Sequence, residues 1–250
     1  MEPLWVTLPS VPADSNRYFP KKQPYHTPFV CRFPEYNNPM RIPIDPRVKT
    51  GLMIFLCLAG IFALTSQEAL LILTLCLLAC QLAFFRDPKR ESPPGNAPVS
   101  PADGKIVDIA ECYEPHFLKE EAVKVGIFLS IFNAHVNRSP LAGVVQFQKY
   151  EPGKFLNALN KDSVKKNECN WIGVASEDYK ALVRQISGTI ARKIFSDVKI
   201  GQGLKRGDKV GIICYGSRTE FFAPKRLFKS SVRVGDHVKA GQTILGEWLK

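Results

Sequence analysis

The feature that most constrains this chain is an apolar run, residues 51–85, which contains no Lys or Arg and a single acid, Glu68. As one helix, the run would extend about 52 Å, well beyond the roughly 30 Å hydrocarbon core of a bilayer. It would also place Ser66, Gln67 and Glu68 near the bilayer centre, where an acid costs a few kcal/mol. Two short helices that turn at this polar triplet avoid both problems. The run therefore predicts an apolar helical hairpin.

The residues around the hairpin indicate where it resides. Basic side chains precede and follow it, and under the positive-inside rule this makes both of its ends cytoplasmic. They are Arg41, Arg47, Lys49, Arg86, Lys89 and Arg90. A helical hairpin buried in a soluble protein would show a polar face towards solvent, and almost nothing polar marks one here. We expect attachment to the cell membrane, with the hairpin spanning the bilayer or lying in one leaflet and the rest of the chain on the cytoplasmic face.

Composition divides the rest of the chain into two unlike parts. Residues 1–50 hold ten of the nineteen prolines and are interpreted as an extended or loosely ordered Pro-rich extension. Residues 86–250 carry 27 Lys and Arg against 18 Asp and Glu, an excess that favours an anionic membrane surface as a partner. These basic residues are scattered, with pairs as the longest runs, so we expect no nucleic-acid partner.

The cysteines and histidines exclude two further classes of protein. The seven cysteines form an odd set without a CxxC pair, and three of them lie inside the apolar run. This pattern argues against a disulfide scaffold and against a structural zinc site. The four histidines show neither HxxxH nor HExxH spacing, so we expect no metal site.

The part of the chain after the hairpin is predicted to be mainly β. Apolar and polar residues alternate in EAVKVGIFLSIF (121–132), GVVQFQKY (143–150) and KALVRQI (180–186). Ser187 and Gly188 predict a tight hairpin between the last of these segments and the next strand.

A weak internal repeat refines the expected fold. The segments LKRGDKVGII (204–213) and VRVGDHVKAGQTILG (232–246) each place a Gly-Asp turn between short strands. Such turns suit a small, curved, antiparallel β sandwich or barrel, and the pattern resembles a duplicated biotinyl- or lipoyl-carrier fold.

Three polar clusters are candidates for chemistry. They are SPADGK (100–105), NAHVNRSP (133–140) and CYGSR (214–218). Together they contain an acid, Asp103, a histidine, His135, and a serine, Ser217, which are the parts of an activated nucleophile. Each also has an ordinary alternative, because an acid or a serine commonly satisfies a turn and a lone histidine is commonly structural.

The residue before the serine suggests an unusual use for it. Ser217 lies in YGSRT, which is not the GxSxG elbow of an α/β hydrolase. Because Gly216 has no Cβ, the Ser217 hydroxyl could attack the Gly216 carbonyl of its own chain. The ester so formed could lose its acyl part by β-elimination and leave a pyruvoyl group, an electron sink of the kind that pyridoxal phosphate supplies.

With these residues in view, the chain resembles the phosphatidylserine decarboxylase proenzymes, and in particular their short branch, which also includes the archaetidylserine decarboxylases. The order and spacing of six segments carry the resemblance. They are FFRDPKR (84–90), SPADGKIVDI (100–109), IFLSIFNAHVNRSP (127–140), YEPGKFLNALNKDSVKKNE (150–168), ARKIFSDVKIGQGLKRGDKVG (191–211) and YGSRTEFFAP (215–224). An apolar hairpin just before FFRDP is usual in the short branch.

The resemblance implies a self-processing enzyme. Cleavage between Gly216 and Ser217 would convert Ser217 to a pyruvoyl group at the start of a 34-residue chain, 217–250. Asp103 and His135 would supply the base for this cleavage, and His135 would also protonate the product. The substrate, phosphatidylserine, would form a Schiff base with the pyruvoyl carbonyl and lose carbon dioxide to give phosphatidylethanolamine. Family members commonly form homodimers.

Two positions depart from the family pattern, and two other functions are considered. The longer bacterial branch has a second histidine where this chain has Arg138, and the family's Asn-Glu-Arg reads Asn167-Glu168-Cys169. One alternative is archaetidylserine as the substrate, which differs from phosphatidylserine only far from the reacting headgroup. The other is a non-catalytic, membrane-tethered adaptor with a carrier-like fold, which would need none of the catalytic residues.

Overall fold

The structure is a computed structural model that describes residues 44–156, 164, 166–188, 193–214 and 217–249. Most of the predicted Pro-rich extension and the candidate cleavage residue Gly216 lie outside the described residues. The described part begins with two helices, which thirteen strands follow. The strands are β1 (Gly104–Glu114), β2 (Glu120–Leu129), β3 (Val136–Arg138), β4 (Gly143–Glu151), β5 (Cys169–Ala175), β6 (Lys180–Ile186), β7 (Ile194–Ser196), β8 (Gly203–Leu204), β9 (Lys209–Ile213), β10 (Ser217–Pro224), β11 (Phe228–Ser230), β12 (His237–Val238) and β13 (Gly246–Trp248).

The apolar run forms two helices, α1 (Lys49–Leu64) and α2 (Glu68–Phe84), on either side of the polar triplet. No residue of α1 is buried, and in α2 only Thr74 and Phe84 are, so these helices do not form a protein core. Within the described residues, one helical segment, Pro46–Leu64, is long and apolar enough to cross a membrane, with 19 residues and a mean hydropathy of 1.8.

The body is mainly β, as predicted. Eight antiparallel strands form one curled sheet, shaped like half a barrel, in the order β12-β1-β2-β10-β6-β5-β4-β8. Strands β3, β9 and β7 form a second sheet, and β11 pairs with β13. The inner face of the large sheet buries the main apolar cluster, because every second residue of each strand points to that face. Its fully buried members include Ile106, Val125, Ile127, Val145, Ile172, Phe221 and Leu245.

A short segment joins the helices to the body through buried contacts. Phe84 and Phe85 pack with Val136 of β3 in an apolar cluster. The Asp87 carboxylate forms an ion pair with Arg138, and both side chains are about 95% buried (5% and 4% exposed). Arg138 also donates hydrogen bonds to two backbone carbonyls, at 3.0 Å each. The arginine that stands in place of a second histidine therefore binds the segment that follows α2.

The two segments of the weak repeat form turns with the same hydrogen bonds. In the first, the Asp208 carboxylate accepts from the Lys205 amide at 2.7 Å; in the second, Asp236 accepts from Arg233 at 2.8 Å. The glycine just before the aspartate has a φ of +83° in the first turn (Gly207) and +105° in the second (Gly235), and this region of backbone conformation favours glycine. Both turns are thus built alike.

These turns also dock on the body alike. In the first turn, the Gly207 amide donates to the Ser139 carbonyl, and the Ser139 amide donates to the backbone carbonyl of Asp208. In the second turn, the Gly235 amide donates to the Ile106 carbonyl, and the Ile106 amide donates to the backbone carbonyl of Asp236. The predicted Gly-Asp turns are confirmed. Neither turn joins a hairpin in the described chain, however. The strands on either side of the first, β8 and β9, pair with β4 and with β3 and β7, and those on either side of the second, β11 and β12, pair with β13 and with β1.

One prediction about strand connection is wrong. Ser187 and Gly188 do not join a hairpin, because β6 before them pairs with β5 and β10 on its two edges, whereas the described residues of β7 pair with β9 of the second sheet. The Ser187 amide instead donates to the carbonyl of Glu168 on the β5 side. Two strand-like segments with a short polar link are typical of a hairpin, but here β6 forms its hairpin with β5, which precedes it, and the distant β10 occupies its other edge.

We predict that Asp87→Asn lowers the free energy of unfolding by about 3 kcal/mol, because it leaves the charge of Arg138 buried without its counter-ion. The measurement is guanidinium unfolding of the detergent-solubilised protein, followed by tryptophan fluorescence. Asp178→Asn, in the exposed loop between β5 and β6, is the matched control and should change the value by less than about 0.5 kcal/mol. Equal unfolding midpoints for the two variants would contradict a stabilising ion pair.

Candidate active site

Ser217 is the first residue of β10, a central strand of the large sheet. It pairs with Leu129 of β2 on one side, and it is completely buried. Its hydroxyl has no hydrogen-bond partner within the part of the chain that the structure describes. A buried hydroxyl ordinarily finds a partner, because leaving it without one costs about 1–3 kcal/mol. Ser217 therefore does not have the usual role of a structural serine.

The sheet face around Ser217 changes from apolar to polar along three neighbouring strands, β10, β6 and β5. Residues directly opposite each other in antiparallel strands share a face, and so do residues two apart along a strand. Extending the observed register by one residue places Ser187 between Ser217 and Glu168. From the core outwards, the three rows are Phe221–Val183–Ile172, Thr219–Gln185–Asn170 and Ser217–Ser187–Glu168.

The middle row is a buried hydrogen-bonded network. Asn137 of β3 donates to the Thr219 hydroxyl at 3.2 Å and accepts from Gln185 at 2.8 Å. Gln185 in turn accepts from Asn170 at 2.8 Å. All four residues are buried. A satisfied network of this kind fixes the position of the strand that carries Ser217.

The outer row, which we call the Ser217 row (Ser217, Ser187 and Glu168), contains a second buried polar atom without a partner. Oε1 of Glu168 accepts from the Tyr150 hydroxyl at 2.9 Å, whereas Oε2 is buried with no partner in the described chain. Asn167 beside it makes hydrogen bonds to both backbone groups of Leu156. The row thus holds two buried polar atoms that no group of the described residues satisfies.

His135 lies just before β3 and is completely buried. Its ring packs on that of Phe84, with centroids 4.3 Å apart, and Nδ1 donates to the Asn133 carbonyl at 2.9 Å. Burial is the main cause that lowers the pKa of His135, to about 4; the nearby Arg86 adds to this, while Asn133 and Asp103 oppose it. At neutral pH the imidazole is therefore neutral, with its basic lone pair on Nε2, which is the state that a general base requires.

Asp103 lies at the start of β1 and is held by other partners. Its carboxylate forms a two-pronged ion pair with Arg90, in which the longer hydrogen bond is 2.6 Å, and accepts from the Ala240 amide at 2.7 Å. Gly104 after it has a φ of +155°, and a Cβ there would lie 2.1 Å from the Phe128 carbonyl. Only glycine allows β1 to approach β2 immediately after the acid.

The structure brings the acid and the histidine near each other, but in a different arrangement from a simple triad. Asp103 acts on His135 electrostatically, as its effect on the pKa indicates. In the described geometry, the group that orients the imidazole at Nδ1 is the carbonyl of Asn133 rather than the carboxylate of Asp103. The individual roles of Ser217, His135 and Asp103 stay predictions.

The chain is similar in sequence to known proteins of one family. A sequence profile of the family described as phosphatidylserine decarboxylase matches residues 77–246. The phosphatidylserine decarboxylase proenzyme of Carboxydothermus hydrogenoformans is 46% identical over 164 residues, which cover 65% of this chain and 77% of that protein. The proenzyme of Syntrophus aciditrophicus is 44% identical over 191 residues (76% and 88%), and that of Symbiobacterium thermophilum is 38% identical over 209 residues (83% and 97%).

The chain belongs to the phosphatidylserine decarboxylase family. The matched region begins within α2 and ends at β13, so it includes Ser217, His135 and Asp103.

The departure from the family pattern at Cys169 lies on the face of the sheet opposite to Ser217. Cys169, Ile186 and Arg218 share a row one residue away from the Ser217 row, and alternation turns their side chains to the far face. There the guanidinium of Arg184 lies 3.6 Å from the Cys169 sulfur. An arginine is therefore present beside this position, contributed by β6.

A cavity of about 430 Å³ lies on this far face of β10. Its lining includes Trp171, the half-buried Arg184 and the buried residues Arg218 and Glu220, and the Glu220 carboxylate pairs with both arginines. Ser217 and His135 are not among its lining residues. The geometry thus separates this charged cavity from the side of the sheet that carries Ser217.

Sequence reasoning missed Asn137, Gln185 and Glu168 as parts of the site. Asn137 lies two residues after His135, within a segment already singled out. Glu168 lies in the segment NEC that was noted for its departure from the family. The signal that joins them is the pairing of β5, β6 and β10, which no local pattern contains.

We predict that His135 makes the protein less stable as the pH falls from 6.5, its ordinary pKa, towards about 4, its pKa in the folded protein. The unfolded chain binds the proton more tightly over this range, so the loss amounts to about 3 kcal/mol near the lower value, and nothing is lost above pH 6.5. The measurement is the thermal unfolding midpoint against pH.

The variant His135→Asn should lose the contribution of His135 to the fall in the unfolding midpoint between pH 6.5 and about 4. The contributions of other titratable groups to that fall should be unchanged. His237→Asn, at an exposed position, is the control and should follow the wild-type curve. If His135→Asn shows the same dependence on pH as the wild type, the histidine is not buried in its neutral form.

Proposed function

We propose that the chain is a phosphatidylserine decarboxylase, an enzyme of phospholipid biosynthesis that releases carbon dioxide from phosphatidylserine and leaves phosphatidylethanolamine. The observation that carries this proposal is the family match across 77–246, which covers the whole of the polar row around Ser217. The buried, available hydroxyl of Ser217 supports the same reading, since a proenzyme needs a nucleophile that no structural contact occupies.

The proposed maturation uses only groups of this chain. The Ser217 hydroxyl attacks the carbonyl of Gly216, and Nε2 of the neutral His135 accepts the hydroxyl proton. The peptide nitrogen leaves the carbonyl, which gives an ester between the two residues. Elimination across Cα and Cβ of Ser217 then releases the larger chain as a carboxylate, and hydrolysis with loss of ammonia leaves the pyruvoyl group on the smaller chain.

The residues present fit a pyruvoyl group at position 217. The Ser217 side chain is buried, its hydroxyl is not needed for the fold, and its neighbours in the row are polar. Once formed, this group supplies an electron-accepting carbonyl of the kind that decarboxylation of an amino acid requires. His135 is our candidate for the proton that replaces the carboxylate on the serine Cα of the lipid.

Asp103 has a supporting role in this proposal. Its negative charge near His135 favours the protonated imidazole that forms after the proton is taken. The ion pair with Arg90 and the bond from Ala240 hold the carboxylate in place, so its effect is that of a fixed charge.

The apolar helices and the basic body support a membrane location. We propose that α1 and α2 attach the enzyme to the cell membrane, with the body on the cytoplasmic face because basic residues flank both ends of the hairpin. The excess of basic residues in the body would favour an anionic leaflet. The two chains formed by cleavage and a homodimer of the processed protein belong to the same proposal.

A finer description of the fold is also proposed. The two Gly-Asp turns make matching internal hydrogen bonds and matching bonds to Ser139 and Ile106. This correspondence supports a duplicated unit of the kind expected for a carrier-like β fold.

The experiment that tests the function is intact-mass spectrometry and a decarboxylation assay on Ser217→Ala. We expect a single uncleaved chain of 28.0 kDa without activity, whereas the wild type should give two chains of roughly 24 kDa and 4 kDa. The smaller wild-type chain should be about 17 Da lighter than one that begins with serine, because ammonia is lost.

Ser231→Ala, at an exposed position after β11, is the control and should be cleaved and active. His135→Ala should slow cleavage by about a hundredfold or more, which a time course of newly made protein would measure. An active Ser217→Ala enzyme would refute the pyruvoyl assignment, and normal cleavage of His135→Ala would assign the base to another residue.

A further inference from the structure

The turn between β2 and β3 exposes two large apolar side chains. Ser130 and Asn133 close it: the Asn133 amide donates to the Ser130 carbonyl at 2.9 Å, and the Ser130 amide and hydroxyl donate to the Asn133 side chain at 2.9 and 2.8 Å. The central residues of such turns are ordinarily small or polar. Here they are Ile131 and Phe132, which are 50% and 80% exposed. The bonds at the ends of the turn hold these two side chains outward.

This turn, which we call the Ile131–Phe132 turn, lies at the end of the apolar hairpin. Arg86, two residues after α2, donates a hydrogen bond to the carbonyl of Phe132. The end of α2 therefore lies beside the turn. Exposed basic residues, Lys49 at the start of α1 and Lys193 near the cluster around Phe84, lie at the same end of the helices.

We infer that the Ile131–Phe132 turn inserts into the lipid interface of the membrane that holds the hairpin. A bilayer is the occupant that fits, because the exposed apolar turn lies beside the end of the apolar helices, where Lys49 and Lys193 provide cations that suit lipid phosphates. An aromatic side chain such as that of Phe132 is typical of the region where lipid headgroups meet the acyl chains. This inference rests on the proposed membrane attachment, since the hairpin brings the turn to the bilayer.

Insertion of the turn would position the site relative to the headgroups. Asn133, the last residue of the turn, holds Nδ1 of His135 through its carbonyl. The imidazole is thus fixed three residues away from Phe132, the nearer of the two side chains that we place in lipid. The inserted turn would thus fix the distance of His135 from the membrane surface. A reaction on a lipid headgroup requires such positioning of the reacting groups.

The test compares Ile131→Ser/Phe132→Ser with the wild type on two forms of the substrate. We expect normal cleavage, and a loss of about tenfold or more in activity towards phosphatidylserine in phosphatidylcholine vesicles. Activity towards a short-chain phosphatidylserine that is dissolved as monomers should be unchanged, because it needs no membrane contact. The control is Ile200→Ser/Val234→Ser, which removes two exposed apolar side chains (64% and 60% exposed) from other turns and should match the wild type on both substrates.

Equal activity of the Ile131→Ser/Phe132→Ser variant and the wild type on vesicles would overturn the inference. An equal loss on both substrates would also overturn it, because the turn would then act on the site and not on the membrane. A direct measurement is independent of catalysis: vesicle lipids with brominated acyl chains should quench the added fluorescence of Phe132→Trp but not that of Ile200→Trp. If the cleaved wild type decarboxylated neither substrate, the proposed function would fail while the quenching would still test the turn.

A separate observation points to a second functional residue, Glu168. It is 4% exposed, and its Oε2 atom is buried without a partner in the described chain. A buried carboxylate without a counter-ion is costly, and such a group is normally replaced unless a ligand satisfies it. Glu168 belongs to the Ser217 row, with one residue, Ser187, between it and Ser217.

We propose that Glu168 binds the ammonium group of the serine headgroup. The ammonium is the one cationic group of phosphatidylserine, and it must lie beside position 217 for the chemistry to occur. Tyr150 fixes Oε1 of the carboxylate at 2.9 Å, which leaves Oε2 to accept from the substrate. This proposal depends on the proposed substrate, and it depends on neither the turn nor the membrane.

The variant Glu168→Gln separates this role from a structural one. Removal of a buried charge that has no partner in the described chain should leave the thermal unfolding midpoint unchanged or raise it. The variant should still be cleaved normally between Gly216 and Ser217, while its kcat/KM for monomeric phosphatidylserine should fall by about tenfold or more. Glu177→Gln, in an exposed loop, is the control and should change neither quantity. A lower midpoint would assign Glu168 to the fold, and wild-type kcat/KM would remove it from the substrate site; either result refutes the proposal.

Discussion

The structure depends on the way in which a few residues after α2 are bound to the body. Asp87 forms a buried ion pair with Arg138 at the end of β3, and Arg90 forms a two-pronged pair with Asp103 at the start of β1. Arg86 reaches the carbonyl of Phe132. Buried pairs of this kind are costly to break, because either partner alone would be an uncompensated charge. The segment therefore ties the apolar helices to the strand starts that carry both candidate acid–base residues.

This connection places the proposed base beside the end of the apolar helices. The helices end at Phe84, whose ring packs on His135 at 4.3 Å between centroids. The same contact contributes to the burial that keeps the imidazole neutral at physiological pH. An enzyme that acts on a headgroup at a bilayer surface, as we propose for this chain, needs its base close to the membrane and yet shielded from water. In that proposal, the packing of Phe84 against His135 meets both requirements.

The sequence was sufficient for elements that depend on local pattern. The polar triplet around Ser66 separates two helices because an acid is poorly tolerated within an apolar helix, and the alternation in residues 121–132 led to β2 because period two is a local property. Ser187 was misassigned to a hairpin, since nothing local reveals that β6 already pairs with β5 before it and with the distant β10. Glu168 was noted only as part of Asn167-Glu168-Cys169, and its place in one row with Ser217 could not be predicted for the same reason: this row arises from the register of three strands, and register is set by tertiary packing.

The site that we propose combines segments that are far apart in the sequence. One Gly-Asp turn docks on Ser139 and the other on Ile106. Asp103 lies three residues before Ile106, and His135 lies four residues before Ser139, so each turn holds the segment that carries one of the two proposed acid–base residues. The proposed nucleophile comes from β10, a strand of the large sheet outside both turns, whose start lies at the polar edge of the core. The proposed chemistry therefore needs the whole body in register, because the segments that carry these three side chains take up their places only when it has folded.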